Sequence, residues 1–213
     1  MAVLHYDYII IGAGAAGLML ADAMCKDDFF KHKSILILDK DTKKTNDRTW
    51  CYWEAGEGQF DTIVHKTWHH IYFAGKKFSK RFKIAPYTYK MIRGIDFYTH
   101  ILQRIEKHPG VVFEQAEVTH ANDDSTLVTV KTSKKTYTGD KVFNSLFSYD
   151  MATHQSKYPV LQQHFVGWFV KTPKPIFDSD QATYMDFSIA QKENTRFMYV
   201  LPTSENEALI EYT

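Results

Sequence analysis

The sequence predicts an α/β fold in which a parallel βαβ unit is followed by an antiparallel sheet. Residues 7–11 and 35–38 are short, β-branched apolar runs of the kind that form buried strands, and a helical pattern separates them. Glycines at fixed spacing punctuate the first strand-to-helix junction. After about residue 162, four extended runs follow with no long helix between them, which is typical of an antiparallel layer.

Composition sets the broad class of the protein. The chain has 213 residues, 44% of them hydrophobic, which suits one large domain or two small ones. The formal net charge is +1, so no global field favours nucleic acid as a partner. Cys25 and Cys51 are expected to be free thiols in a reducing cytosol. The apolar stretch at residues 8–24 contains three glycines and Asp22, so we predict a βα unit there and no membrane span.

The first junction carries a dinucleotide-binding pattern. It consists of Gly12, Ala13, Gly14, Ala15, Ala16 and Gly17. Gly12 permits a tight turn, Gly14 lets the backbone approach a pyrophosphate, and Gly17 allows close packing of helix on strand. A pyrophosphate would sit at the helix start, where free N–H groups favour negative charge. Asp39 ends the second strand and would accept ribose hydroxyls, which disfavours the 2′-phosphate of NADP.

The remaining elements are predicted from local patterns. In chain order they are an irregular polar stretch at residues 41–59, a hairpin at 68–84 that turns at Ala74–Gly75, and a helix at 94–108 that is capped by Asp96. A β-meander at 111–138 and a strand at 142–146 follow. We therefore predict a Rossmann-type nucleotide-binding domain over residues 1–160 with an inserted hairpin and meander. Residues 161–213 then begin an antiparallel substrate-domain sheet.

Five blocks of the sequence resemble motifs of the lycopene cyclases. They read DRTWCYW at 47–53, QHFVGW at 163–168, MDF at 185–187, FMYVLP at 197–202 and LIEYT at 209–213. In the same order, the family carries N-R-T-W-x-F-W, Q-x-F-x-G-W, M-D-F, F-x-Y-x-L-P and F-L-E-E-T. The resemblance covers the whole chain, and its specificity comes from the five blocks together.

The resemblance implies an FAD-binding domain in a fold shared with aromatic-ring hydroxylases and geranylgeranyl reductases. It implies reduced FAD, with NADPH as the external reductant, and cyclisation of the linear ends of lycopene to β-ionone rings without net redox change. Arg48 would lie near the FAD, and we place Lys40 with Asp39 in the cofactor-binding set. Because lycopene dissolves in bilayers, a cytoplasmic enzyme in peripheral contact with a membrane is expected.

The chain departs from the family pattern at two points. Tyr212 stands where the family's last box has its second acid. Family members are also considerably longer, so the chain looks like the N-terminal part of a cyclase. Two alternatives stay open: a flavin-dependent monooxygenase or isoprenoid reductase of the same fold, and an inactive truncated flavin-binding fragment.

Two carboxylates are the predicted catalytic residues. Glu211 matches the acid of the last box, and burial would keep such a carboxyl protonated for transfer to a double bond. The alternative for Glu211 is an exposed glutamate on an edge strand. Asp186 is either a second site acid or a hydrogen-bonded structural residue. The candidates for aromatic faces that would stabilise a cation are Trp50, Trp53, Trp168, Phe187 and Tyr199. We expect one or two of them at most to have this role and the others to be ordinary core residues.

The histidines do not form a predicted metal site. His65 and His69 have i, i+4 spacing, but the segment reads as a strand, and His70 adds no further pattern. No metal is therefore expected.

Overall fold

A computed structural model describes residues 3–147, 149–154 and 156–213. The chain divides into two compact units, each built from two separate stretches. The first unit comprises Met1–Asp47 and Gly94–Ser156, and the second comprises Arg48–Arg93 and Lys157–Thr213.

The first unit contains a six-stranded mixed sheet. Its strands, in chain order, are β1 Leu4–Ile11, β2 Ile35–Asp39, β8 Val111–Gln115, β9 Val118–Asp123, β10 Val128–Thr132 and β11 Thr136–Asn144. They lie in the order β8-β2-β1-β11-β10-β9. The first four are parallel, and β10 and β9 continue the sheet as an antiparallel meander.

Helix α1, Ala15–Lys26, connects β1 to the parallel strand β2 and forms the βαβ unit. Its neighbour is α2, Gly94–Ile105, and the two helices are joined by a buried carboxylate. Asp22 forms ion pairs with Lys26 over 2.6 Å and with Arg104 over 3.1 Å. The side chains of β2 at residues 35–38 are all fully buried, as expected of a central parallel strand.

The second unit contains two sheets. The larger one consists of β5 His70–Gly75, β6 Phe78–Lys83, β12 Val166–Lys171, β13 Gln181–Asp186, β14 Met198–Pro202 and β15 Glu207–Tyr212, in the order β12-β15-β14-β13-β5-β6. The smaller one consists of β3 Thr49–Ala55, β4 Lys66–Trp68 and β7 Tyr87–Arg93, in the order β3-β7-β4.

These two sheets share one apolar core. Trp68 is fully buried at its centre, and its indole N–H donates to the carbonyl of Pro202 over 2.9 Å. The remaining buried members are Tyr89, Met91, Ala182, Leu201 and Leu209. The core therefore joins β4 and β7 of the small sheet to β13, β14 and β15 of the large sheet.

The division into units differs from the predicted boundary at residue 160. Residues 48–93, which we assigned to the nucleotide-binding domain, belong with residues 157–213. The cause is a long-range parallel pairing, in which His70 to Ala74 on β5 lie opposite Gln181 to Asp186 on β13. The predicted hairpin is thus an integral edge of the second unit's sheet.

Several predicted elements also have different bounds. The stretch predicted as irregular contains β3, and β7, for which no strand was predicted, is its partner. The predicted runs at 136–138 and 142–146 are one strand, β11, which ends at Asn144. Asp96 lies inside the first turn of α2, so it is not the N-cap. The hairpin turns at Lys76–Lys77, two residues later than predicted.

Short helical elements complete the described chain: a 3₁₀ turn at Asp28–Phe30, another at Asp61–Ile63, and helix α3 at Tyr149–Thr153. Within the described ranges, no helix has both the length and the apolarity that crossing a bilayer requires.

Candidate functional site

The turn after β1 has the geometry that the glycine pattern predicts. Gly12 has φ +100°, and its N–H donates to the carbonyl of Leu38 over 2.8 Å. A methyl group on Gly17 would collide with the carbonyl oxygen of Gly12, so a side chain at that position would push the helix away from the turn. Both glycines are therefore required by the path of the backbone.

Gly14 is different, because a methyl group there would meet nothing within 4 Å. It is the N-cap residue of α1, and no side chain of the described residues caps the N–H groups behind it. The first turn also lacks acidic residues. Unsatisfied N–H groups, an aligned helix dipole and open space together suit an anionic group such as a pyrophosphate.

Asp39 closes this site from the end of β2. Its Oδ2 accepts from the Ala13 N–H over 2.7 Å, and its Oδ1 accepts from the Asp41 N–H over 2.8 Å. The Lys43 ammonium lies 3.3 Å from Oδ2, and both side chains are only 10% exposed. Each carboxylate oxygen can accept more than one hydrogen bond, so ribose hydroxyls remain compatible with these contacts.

Of the other predicted cofactor-binding residues, Ala13, Ala15 and Ala16 belong to this turn and helix start, whereas Lys40 and Arg48 lie outside it. Ala13 is fully buried in the turn, and Ala15 and Ala16 begin α1. Lys40 is exposed, and its carbonyl accepts from the Gln115 side-chain amide over 3.1 Å. Arg48 is exposed and directly precedes β3, so it belongs to the second unit.

Glu211 lies on an inner strand of the second unit, which excludes the exposed edge-strand alternative. β15 is flanked by β12 and β14, and Glu211 stands in register between Gly167 and Tyr199. Because side chains alternate along a strand, Glu211 points to the same side as the buried Leu209. The carboxyl group is thus half-buried at the margin of the core between the two sheets.

Burial raises the pKa of Glu211 above its ordinary value. Among the described residues, no hydrogen-bond donor reaches its carboxylate to offset this. Burial also raises the pKa of its neighbours Tyr199 and Cys51 to about 12 each, and the negative charge of Glu211 adds to both effects. The Glu211 carboxyl therefore shares an apolar, aromatic surrounding with groups that stay neutral.

Asp186 lies in a different row of the same sheet. It pairs with Met198, which in turn pairs with Tyr212, so its row faces the side opposite to Glu211. Its Oδ1 accepts from the Ser188 N–H over 2.8 Å, which closes a local turn. The structure thus gives Asp186 a structural contact and does not bring it together with Glu211.

The five candidate aromatics are divided by the sheet geometry. Tyr199 is in register with Glu211, and its ring lies 5.8 Å from that of Tyr184. Trp53 extends this aromatic face, at 5.4 Å from Tyr184. Trp168 lies in the row opposite to Glu211 and is 57% exposed. The other two are Trp50, which is in register with the buried Ile92, and Phe187, which packs against Phe73 and Phe197.

The adjacent histidines find a partner that is remote in sequence. Asp180 accepts from His69 Nδ1 over 2.8 Å and from His70 Nδ1 over 2.9 Å. These contacts join the start of β5 to the residue before β13. Across the described ranges, no group of three or more histidine, cysteine or acidic residues has metal-binding geometry.

Three residues of these sites were missed at the sequence level. Lys43 pairs with Asp39 and lies 5.5 Å from the ring centre of Tyr98, beside an open cavity of about 510 Å³ bounded by α2 and β8. Its i, i+4 spacing from Asp39 was the available signal. Ser145 donates to the Ile11 carbonyl over 2.7 Å and packs against Gly12. Tyr184 joins the aromatic face beside Tyr199.

Comparison with solved structures places the fold in a known class. PqsL from Pseudomonas aeruginosa, a probable FAD-dependent monooxygenase, aligns with a TM-score of 0.63 at 12% identity, over 98% of this chain and 60% of that one. The geranylgeranyl bacteriochlorophyll reductase-like protein Ta0516 from Thermoplasma acidophilum aligns with a TM-score of 0.67 at 13% identity, over 99% of this chain and 56% of that one. HpxO from Klebsiella pneumoniae, complexed with FAD, aligns with a TM-score of 0.62 at 15% identity, over 98% of this chain and 57% of that one.

The fold is therefore that of the flavoprotein monooxygenases and reductases, and the chain spans 56–60% of the length of these relatives. The sequence matches none of the curated proteins with which it was compared. The model of the lycopene cyclase protein family matches residues 7–213. The chain belongs to the lycopene cyclase family, as its five sequence blocks predicted.

Proposed function

We propose that this chain binds FAD at the glycine turn and cyclises the linear ends of lycopene, with Glu211 as the proton donor. The observation that carries the proposal is the setting of Glu211, which is half-buried beside Tyr199 on an inner strand. A carboxyl group whose pKa is raised by burial is suited to donate a proton to a weakly basic double bond.

The reaction begins when the Glu211 carboxyl donates its proton to the terminal C=C bond of the substrate. This leaves a tertiary carbocation, which the neighbouring C=C bond attacks to form the ring C–C bond. Loss of a proton from the ring then creates the new double bond. One proton enters and one leaves for each ring, so substrate and product are isomers.

Aromatic side chains next to Glu211 would stabilise the developing cation. Tyr199 and Tyr184 present adjacent rings, and Trp53 packs against Tyr184. Cation–π attraction contributes about 0.5–2 kcal/mol for each ring, more where water is excluded. When bound, a reduced flavin would supply negative charge, which favours a developing cation.

The residues of the turn fit the dinucleotide. Gly14 leaves space for the pyrophosphate, the uncapped N–H groups of α1 would bind its oxygens, and Asp39 would accept the ribose hydroxyls. We also propose that Arg48 and Lys40 contribute to FAD binding and that NADPH is the external reductant. The linear carotene substrate implies that the enzyme contacts a membrane surface.

A redox reaction on the same fold is the second candidate, because the similar structures include a monooxygenase and a reductase-like protein. These reactions change the mass of the carotene by an oxygen atom or by hydrogen, whereas cyclisation leaves it unchanged. Mass therefore separates the two functions.

The test is expression of the protein in lycopene-producing cells, followed by chromatography and mass analysis of the carotenoids. The proposal predicts cyclic isomers of lycopene with the unchanged protein and none with Glu211→Gln. The matched control is Glu207→Gln on the same strand, whose carboxylate is paired with the exposed Lys171 and should be dispensable. Hydroxylated or reduced products would overturn the proposal.

A further inference from the structure

The space beside Glu211 is asymmetric. On the β14 side stands the ring of Tyr199, and on the β12 side stands Gly167, which has no side chain. β12 is the edge strand of its sheet. Glu211 therefore has an aromatic ring on one flank and a residue without a side chain on the other, at the edge of the sheet.

The Glu211 side chain lies across the place that a side chain at position 167 would take. An ideal Cβ at Gly167 would lie 3.1 Å from Glu211 Cγ, 3.3 Å from Glu211 Oε1 and 3.3 Å from Leu209 Cδ1. These distances are shorter than comfortable van der Waals contacts between such atoms. The backbone itself does not demand glycine, because Gly167 does not adopt a positive φ.

We propose that Gly167 is a positioning residue for the proton donor: the absence of a side chain there leaves room for the Glu211 side chain to lie across β12. Any larger residue would displace the Glu211 side chain from this position. This inference rests on the proposed function for the role of Glu211 as proton donor, but the contact between Gly167 and Glu211 does not.

The first measurement is therefore independent of turnover. In the purified protein, ¹³C NMR titration of the glutamate carboxyl carbons, assigned with Glu211→Gln, gives the pKa of Glu211. Gly167→Ala removes solvent from Oε1 and should raise that pKa by about half a pH unit. The matched control is Gly75→Ala at the end of β5, where the same methyl group would meet nothing within 4 Å. It should leave the titration unchanged.

The second measurement is cyclisation of lycopene supplied in phosphatidylcholine vesicles with FAD and NADPH. Gly167→Ala should reduce the rate at least tenfold, Gly167→Val should abolish it, and Gly75→Ala should match the unchanged protein. Thermal unfolding and FAD content should be alike in Gly167→Ala and Gly75→Ala. Equal titration curves and equal rates in the two alanine variants would overturn the inference.

Failure of the proposed function is distinguishable from failure of this inference. If the unchanged protein forms no cyclic product, the assignment of lycopene as substrate fails. The titration of Glu211 in Gly167→Ala against Gly75→Ala then still decides whether Gly167 sets the environment of the acid.

Discussion

The carboxylate of Asp39 accepts a hydrogen bond from the backbone N–H of Ala13, with 2.7 Å between Oδ2 and N. The end of β2 is thereby fastened to the turn that follows β1. The same carboxylate is paired with the nearly buried Lys43. Asp39 thus has two roles that can be separated by experiment: it shapes the turn, and it would receive the ribose of the dinucleotide.

Asp39→Asn should weaken FAD binding about tenfold, because a charged acceptor is lost and the Lys43 ammonium is left without its partner. Fluorescence titration of the apoprotein with FAD measures the change. Glu117→Gln, an exposed carboxylate of the same unit, is the control and should bind FAD normally. Unchanged affinity in Asp39→Asn would remove Asp39 from the nucleotide site.

Gly14 and Gly17 should respond oppositely to substitution by alanine. Gly14→Ala adds a methyl group in open space, so stability should be preserved while FAD affinity falls about tenfold or more. Gly17→Ala forces the helix away from Gly12 and should cost at least about 2 kcal/mol of unfolding free energy. Urea unfolding and FAD titration give the two quantities. Normal FAD binding by Gly14→Ala would show that no pyrophosphate approaches that backbone.

Lys90 holds a cluster of charges in the second unit. It is 5% exposed, donates to Glu54 Oε2 over 2.8 Å and also contacts Asp61. Lys90→Met should lower the unfolding free energy by about 1–2 kcal/mol, since the partly buried Glu54 carboxylate loses its cation and the exposed Asp61 adds little. Lys77→Met in the exposed turn after β5 is the control and should change little. A loss below about 0.5 kcal/mol would contradict the role of the cluster.

The ionisation of Asp180 should make the unfolding free energy depend on pH in the acidic range. Burial alone would raise its pKa, but hydrogen bonds from the side chain and backbone of His69 and from His70 lower it to about 2. Because the pKa of Asp180 is lower in the folded than in the unfolded protein, its ionised carboxylate stabilises the fold. This contribution to the unfolding free energy is fully present above the unfolded-state pKa of about 3.9 and is lost as the pH falls through the folded-state pKa. Unfolding free energies should therefore fall from about pH 4 to about pH 2 less steeply in Asp180→Asn. Identical slopes in the two proteins would contradict this.

Local patterns were sufficient to predict the βαβ unit, because β1, the glycine turn and β2 each have their own signal in a short window. The same holds for α2 and for β12 to β15, which correspond to four extended runs in the sequence with no long helix between them. The five sequence blocks predicted the family, and Glu211 came from that resemblance.

The local sequence patterns could not predict which strands pair over long distances in the chain. β3 contains Trp50, Cys51 and Tyr52 without polar alternation, and only its pairing with β7 makes it a strand. The parallel pairing of β5 with β13 moves a local hairpin into the other unit. The contacts of Asp180 with His69 and of Gly167 with Glu211 likewise join residues that no spacing rule connects.

The central claim is acid-initiated cyclisation by Glu211, and cyclisation in D₂O tests it most directly. Purified protein with lycopene in vesicles, FAD and NADPH should form a cyclic product that carries one deuterium for each ring, because Glu211 exchanges its proton with solvent before donating it. Glu211→Gln should form none. Product without deuterium, product that has gained oxygen or a hydrogen pair, or full turnover by Glu211→Gln would contradict the account.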